Sequence, residues 1–471
     1  MKAVILEAAD DQAWDMEVDV LVVGAGGCGL AAAIAAHDQG ANVAILEKRD
    51  RPGGNSSLST GSVPGAGSRF QREAGIEDSP ERMVADLERL SGESELPGLT
   101  RRMAEISAPL VEWLIDEVGA RMALITDYMH VGHTVPRLHA PVSRRGQDLV
   151  DDLLAAVEKR EIPLVVNNPV SGLFMRKGRV VGVEVSGEGV ETSRIGVKCL
   201  ILASNGFGAN RELVQKYCGE IAGAEYFGAL GSEGEAILWG EQLDARLANM
   251  QAYQGYAAVA YPHGSLLSWT TIEKGGILVN GKGERFGNED LGYSAYARIV
   301  LAQNSPVFAV FDDRIKDIAG KEDEFRELVE YGGIRHSEDP AELAAAFKIP
   351  ADGLARTLAD YNDAAAGKTP DPYQRKKFNL APLRGHLWMC RVSPGLFHTQ
   401  GGLAVDDDGR VLRPDGSRLA NLFAAGGAAC GVSGPDPSGY LSGNGLLTAV
   451  AYRRLARLAG APFVKVEATK F

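Results

Sequence analysis

DVLVVGAGGCGLAAAIAAHDQGANVAILE, residues 19–47, carries in order an apolar run, a glycine-rich turn, an alanine-rich stretch and a second apolar run. Val20, Leu21, Val22 and Val23 are what a strand buried on both faces of a parallel sheet requires. Gly24, Gly26 and Gly29 complete G-x-G-x-x-G. The first glycine permits a tight turn, the second lets a pyrophosphate approach the backbone, and the third lets the helix pack close to the strand. Residues 30–37 predict a helix whose N-terminal N–H groups face the phosphates. Residues 43–46 predict a second strand ending in Glu47, 23 residues after Gly24, where an acid binds the adenosine ribose. Strand, helix, strand and terminal acid in one register predict dinucleotide binding, with Gly24, Ala25, Gly26, Gly27, Gly29, Glu47 and Lys48 as ligands.

The whole composition fits a large folded protein. At 471 residues and 45% hydrophobic content the chain buries a sizeable core and predicts two domains. Its net charge of -13 argues against nucleic-acid or anionic-membrane partners. Five scattered cysteines without a C-x-x-C pair suit a reducing compartment and no zinc site. The first 14 residues lack a basic-then-apolar leader pattern, and no apolar run reaches about 18 residues. The expectation is a cytoplasmic protein without a membrane span.

Residues 51–67, RPGGNSSLSTGSVPGAG, predict a flexible polar loop in which Gly54, Asn55, Ser56, Thr60 and Gly61 offer donors to a phosphate and ribityl chain. Placed directly after Glu47-Lys48, this loop resembles the second phosphate-binding element of FAD-dependent oxidoreductases. The resemblance narrows to the flavoproteins of fumarate reductases, succinate dehydrogenases and 3-ketosteroid dehydrogenases. It implies an α/β fold: a Rossmann-like FAD-binding domain with a small antiparallel β insert, at residues 1–250 and 395–471, plus an α+β substrate-binding cap at 251–394. Families that tether FAD covalently place a histidine in this loop; here there is none, so non-covalent FAD is implied.

Helical periodicity follows at residues 80–90, 99–118 and 147–159. Between the last two, His130, His133 and His139 lack the spacing of a metal site. TVPRLHAP, residues 134–141, resembles the superfamily's loop at the active-site roof, which makes Tyr128, Arg137 and His139 pocket candidates, while Arg144 and Arg145 read as solvated. Residues 168–204 match the antiparallel insert, with Val170 near adenine. The insert returns through CLILASNGF, where Ala203, Ser204 and Asn205 stand in place of the usual A-T-G-G. SEGEAILWGEQLDARL, residues 232–247, resembles the superfamily helix that follows a small turn beneath the flavin. Tyr253, Tyr256, Tyr261, Tyr293 and Tyr296 crowd the start of the cap, where aromatic rings with a polar tip suit an apolar pocket or plain domain packing.

Residues 275–303 align without gaps on the fumarate reductase stretch whose arginine donates a proton to substrate; that position is Tyr293 here. The relay glutamate falls on Trp269 and the relay arginine on Glu273. Further on, H-T-x-G-G is retained through His398, Thr399, Gly401 and Gly402, while the usual A-A-G-E reads Gly426-Gly427 and loses a ribityl ligand. Residues 438–450, SGYLSGNGLLTAV, lead a helix through Asn444, Gly445, Leu446 and Leu447 whose N–H groups stabilise the reduced ring. The carboxylate-binding arginine expected before it is Tyr440.

Two arginines replaced by tyrosine resemble the 3-ketosteroid dehydrogenases. The implied chemistry is α,β-desaturation of a cyclic ketone, a steroid or an oxocyclohexanecarboxylate. Tyr440 and a backbone N–H near Gly443 or Gly445 would polarise the carbonyl, Tyr293 would take the α proton, and FAD N5 would accept the hydride. His398 would orient substrate, tune the flavin, or bond backbone at a strand start. Trp269 and Tyr296 complete the expected pocket, and Arg137, Arg144 or Arg298 would meet a substrate carboxylate. The sequence leaves the electron acceptor unidentified among a quinone, oxygen and an electron-transfer protein. Two rival readings are a fumarate-type ene-reductase acting on an unsaturated carboxylic acid and a non-catalytic FAD-binding redox sensor.

Overall fold

The computed structural model describes residues 3–92, 94–126, 132–377 and 382–451. The chain divides into two compact units: Met1–Cys218, Gly228–Tyr253 and His398–Phe471 make the first, and Gly219–Phe227 with Gln254–Phe397 the second. The junctions expected at 250/251 and 394/395 therefore lie three residues later. Gly219–Phe227 joins the second unit because Glu225 and Tyr226 pair in parallel with Gly395 and Leu396.

At the centre of the first unit, Val43–Leu46, Met16–Val23, the second half of Val190–Leu202 and Arg418–Ala424 run parallel. Val20 faces Val43 and Cys199, and Leu200 faces both Leu21 and Leu422. Their buried parts, Val20–Val23, Val43–Leu46, Cys199–Leu202 and Leu422–Ala424, are apolar without a break because both faces are covered. Helix Gly27–His37 buries every residue except His37, and so it is apolar all round instead of striped.

The antiparallel segment is present but is not a separate sheet. Val170–Arg176, Arg179–Gly187 and the first half of Val190–Leu202 form a meander, and from Ile195 the last strand continues into the parallel sheet. Val4–Glu7, unassigned by the sequence pattern, extends the meander alongside Gly172–Met175. Trp14 sits edge-on to Phe174, and a side chain at Gly182 or Gly196 would overlap its ring or press on it.

Helices Pro80–Ser91 and Gly146–Lys159 form where the periodicity puts them. The third runs Pro97–Trp113 and widens into a π turn at Leu114–Val118, closed by Gly119 at φ 86°. The loop expected to be flexible at 51–67 is instead shaped: Gly54–Ser57 makes a helical turn, and Val63–Pro64 pairs with Leu138 and His139.

The second unit has a six-stranded sheet organised by the long strand Leu387–Thr399, which pairs with Val307–Asp312, Ile334–Ser337, Tyr253–Ala260 and Glu225–Tyr226. Beside it Arg285 is buried, donating to Glu289 at 2.7 and 3.1 Å and to Asp371, with the Tyr361 and Tyr373 rings against its guanidinium. Arg375 donates to the carbonyls of Gly276 and Ile272. Among the described residues no helix is long and apolar enough to cross a membrane.

Candidate active site

The glycine turn of the first unit is closed by its own backbone. Gly24 has φ 108°, and a Cβ there would overlap the Ala203 carbonyl; a Cβ on Gly29 would overlap the Gly24 carbonyl. Gly26 differs, since its Cβ would meet nothing nearer than Gly53 O at 3.7 Å. Gly26 and Gly53 form a parallel bridge, and a Cβ on Gly54 would have only Gly26 Cα within reach, also at 3.7 Å. Two glycine loops thus line an open backbone trough.

Several expected ligands shape this trough. Glu47 accepts from the N–H of Ala25 at 2.8 Å and of Arg49 at 2.9 Å, so its carboxylate braces the turn. Ser56 Oγ accepts from Gly27 N–H at 3.2 Å. Thr60 and Ser62 share a hydroxyl hydrogen bond at 3.0 Å, while Gly61 takes φ 71°. Lys48 departs from expectation: its ammonium is held by Glu233 at 2.7 Å and by Glu235, so its charge is balanced within the protein. Val170 is buried at the start of its strand, opposite Val185.

The Asn55 side chain is used at both ends. Its Oδ1 accepts from Ala229 N–H at 2.6 Å, which turns Nδ2 toward His398 Nδ1 at 3.2 Å. His398 lies one residue before the end of strand Leu387–Thr399, and its ring meets the Asn55 side chain. Its surroundings bury the ring and push its pKa down to about 4, so at neutral pH it is uncharged. With Nδ1 accepting from Asn55, Nε2 carries the proton.

The ring also explains a missing residue. A Cβ on Gly427 would overlap Asn205 Oδ1 and stand 2.8 Å from His398 Cε1. Glycine replaces the expected glutamate because that space is already filled. Asn205, at φ 66°, donates from Nδ2 to Ser232 Oγ at 2.7 Å, a partner the sequence pattern did not reveal. On the other side Asn444 donates to Ser433 Oγ at 3.3 Å and starts helix Asn444–Val450, with Leu446 and Leu447 buried behind it. Gly443 precedes that helix at φ 87°, and a Cβ there would crowd Leu138 and Pro64 at 2.9 and 3.0 Å. A Cβ on Gly445 would come within 3.8 Å of His398 Cδ2. Tyr440 is half-buried just before this segment.

In the second unit Tyr293 lies in the first turn of helix Gly292–Leu301, half-buried, with the Tyr256 ring 5.1 Å and the Trp269 ring 6.3 Å away. Tyr256 holds this nest in place: its hydroxyl donates to Leu267 O and accepts from Trp269 N–H, both at 2.9 Å. Trp269 and Tyr296, expected to line a pocket, are buried at 5% and 0% exposure. Burial drives the Tyr296 hydroxyl pKa well above the usual tyrosine value, so it stays protonated.

Three further candidates are corrected. Arg137 is fully buried between Asp78 and Asp86, which neutralise it; Arg298 donates to Glu220 at 3.1 Å. His139 bonds the Arg137 carbonyl and Ser68 inside the core. Arg144 is exposed, at φ 57°. Tyr128 and His130 lie outside the described residues. Among the described residues no group of His, Cys, Asp and Glu could hold a metal ion.

Burial lowers the His139 pKa to about 4, against 6.5 in an ordinary setting. The unfolded chain therefore takes up a proton near pH 6.5 that the folded protein refuses until about pH 4. Stability should fall as pH drops across this window, by up to about 3 kcal/mol from this residue. In urea titrations at pH 7 and pH 5, His139→Phe should lose less stability between the two values than the unmutated protein. Equal losses would show that His139 is not the group responsible.

Ser204 Oγ and Asn444 Oδ1 are buried without a hydrogen-bond partner. Unmet polar atoms and a side-chain-free trough fit FAD, which residues 24–27, 53–56, 203–205 and 443–446 would hold.

The chain matches the family described as FAD binding domain over residues 19–446. It is 30% identical over 460 residues to an NADH:fumarate oxidoreductase of Klebsiella pneumoniae (strain 342), covering 97% of this chain but 49% of that protein. The chain thus spans about half the length of that relative. It is 30% identical to a fumarate reductase (cytochrome) of Shewanella frigidimarina, covering 95% of this chain and 78% of the relative. Among solved structures, a 3-ketosteroid-Δ4-(5α)-dehydrogenase from Rhodococcus jostii RHA1 in complex with 4-androstene-3,17-dione superposes with TM-score 0.78 at 26% identity, over 97% of this chain and all of that one. The chain belongs to the FAD binding domain family, within the fumarate reductase/succinate dehydrogenase flavoprotein superfamily.

Proposed function

We propose that the chain reduces a C=C bond conjugated to the carboxyl group of an unsaturated acid, in the manner of the fumarate reductases. The carrying observation is 30% identity to two fumarate-reducing enzymes across at least 95% of the chain. FAD, when bound, supplies the hydride for the β carbon. The chain must bind the carboxyl oxygen, exclude water and deliver one proton to the α carbon. Neutral His398 suits the first task, because its Nε2–H donates without the cost of burying a second charge. Tyr293, half-buried among Tyr256 and Trp269, has a hydroxyl for the last.

A second reading, desaturation of a cyclic ketone, is supported by the sequence resemblance, which sets Tyr293 and Tyr440 where the fumarate reductases carry arginines. A neutral carbonyl needs hydrogen-bond donors, not a cation. In that direction Tyr293 takes the α proton, and Tyr440 donates to the ketone oxygen.

An anaerobic flavin titration separates the two. Reduced protein mixed with fumarate should regain its yellow absorbance. Oxidised protein mixed with 4-oxocyclohexanecarboxylate or a 3-ketosteroid should stay yellow. If a ketone bleaches the oxidised protein and fumarate leaves the reduced protein colourless, the second reading replaces the first.

A further inference from the structure

We propose that His133 is a positioning residue that pins the segment carrying Tyr440 and Gly443. The pin starts from a buried charge cluster. Arg137 donates two parallel bonds to Asp78, at 2.9 and 3.0 Å, and a third to Asp86 at 2.8 Å. Asp86 also accepts from the Thr134 N–H and hydroxyl, both at 3.0 Å, and from Arg89 at 3.2 Å. Arg137 has no torsional freedom left, being fully buried and bonded along its fork.

The remaining Nη1 proton of Arg137 points at His133 Nδ1, 3.3 Å away, and His133 Nε2 lies 2.8 Å from the carbonyl oxygen of Ser442. A guanidinium donates and never accepts; a carbonyl accepts and never donates. His133 is therefore the neutral tautomer with its proton on Nε2. An imidazolium would turn an Nδ1–H against the guanidinium. The cluster thus fixes one tautomer, and that tautomer holds one carbonyl.

Ser442 lies two residues after Tyr440 and one before Gly443. Among the described residues no strand pairs with the stretch between turn Pro437–Gly439 and helix Asn444–Val450. What holds it is contact. Gly132, at φ 89°, has no room for a Cβ because Leu441 and Leu90 press against it. A Cβ on Gly439 would overlap the Ser433 carbonyl, and Ser91 packs against the same glycine. Arg89 also donates to Gly132 O at 2.6 Å, so the residue before His133 is fastened to the same cluster. Packing sets where the segment lies, and the His133 bond sets its rotation, hence where the Tyr440 hydroxyl and the Gly443 N–H aim. This role rests on the reading of Tyr440 and Gly443 as substrate-facing.

His133→Asn and His133→Gln test it in the flavin-loaded protein. Asparagine places a polar atom near the position of Nδ1, keeping Arg137 partnered but leaving Ser442 O unreached. Glutamine reaches the position of Nε2 and can donate to Ser442 O. By hydrogen-exchange mass spectrometry, His133→Asn should speed exchange in residues 440–446 by about tenfold or more and leave residues 19–47 unchanged. His133→Gln should restore the slow rate. Turnover of whichever substrate exchanges electrons with the flavin should show a lower kcat in the asparagine variant and recovery in the glutamine variant. Unchanged exchange in His133→Asn would overturn the pin. Faster exchange with full turnover would overturn the positioning role; if Tyr440→Phe is then also fully active, it is the reading of Tyr440 that has failed.

Discussion

Gly29→Ala is expected to give little folded protein, whereas Gly26→Ala is expected to fold and to stay colourless. The two glycines belong to one motif and are three residues apart, but different objects limit them. A methyl on Gly29 would run into the carbonyl of Gly24, which is backbone in the same turn and has no rotamer by which to move away. Overlap with fixed atoms costs at least about 1–3 kcal/mol and usually displaces helix from strand. That contact lies at the end of strand Met16–Val23, where Val20–Val23 are buried. A methyl on Gly26 enters the open trough, and the backbone there is extended at φ -76°, which alanine adopts freely. It therefore leaves the apoprotein intact and blocks the approach of the pyrophosphate, lowering flavin affinity by about tenfold or more. The ratio of visible to ultraviolet absorbance, with circular dichroism as the control for folding, reads both effects. A yellow Gly26→Ala protein would show that the pyrophosphate does not approach this backbone.

Arg285→Ala is expected to destabilise the second unit by about 3–5 kcal/mol, the usual result of leaving buried carboxylates without their cation. Glu289 and Asp371, with side chains 0% and 1% exposed, would lose the guanidinium that satisfies them. Tyr361 and Tyr373 would lose the cation against which they pack. Arg285→Lys should fall between the variant and the parent, because it restores the charge without the planar fork. Proteolysis in increasing urea should cut within residues 254–397 first, at lower urea in the alanine variant. Identical cleavage profiles would mean that Arg285 is solvated and contributes nothing.

The sequence reveals most where the physics is local. Strand, glycine turn and helix at residues 19–47 declare themselves through periodicity and through glycines whose clashes lie within a few residues, as Gly29 against Gly24 does. Arg137 shows the opposite case. It reads as a cation available to a substrate, but Asp78 and Asp86, which neutralise it, are 59 and 51 residues away. Nothing in the intervening pattern announces that they converge. Lys48 is captured by carboxylates 185 and 187 residues later. Gly427 looks like the loss of a ligand, and only the positions of Asn205 and His398 show that no side chain fits there. Tyr293 and Tyr296 occupy one helix with like chemistry, but one is half-exposed and the other sealed, a difference set by what packs over each.

The first unit is written in pieces: its last strand, Arg418–Ala424, follows the whole run 254–397 that builds most of the other unit. On a ribosome the edge of Val190–Leu202 therefore emerges long before the residues that cover it. Leu200 and Leu202 wait for Leu422 and Ala424, 222 positions downstream. At about 5–20 residues per second, that interval is on the order of 10–40 s. During it an apolar parallel edge stands open, the kind of surface that chaperones bind and that pairs wrongly with neighbours. His398, Gly427 and Asn444 arrive later still than the second unit. With these three among the proposed flavin contacts, flavin capture is expected to be among the last events in the birth of the molecule, and chains on a polysome are expected to be mostly colourless.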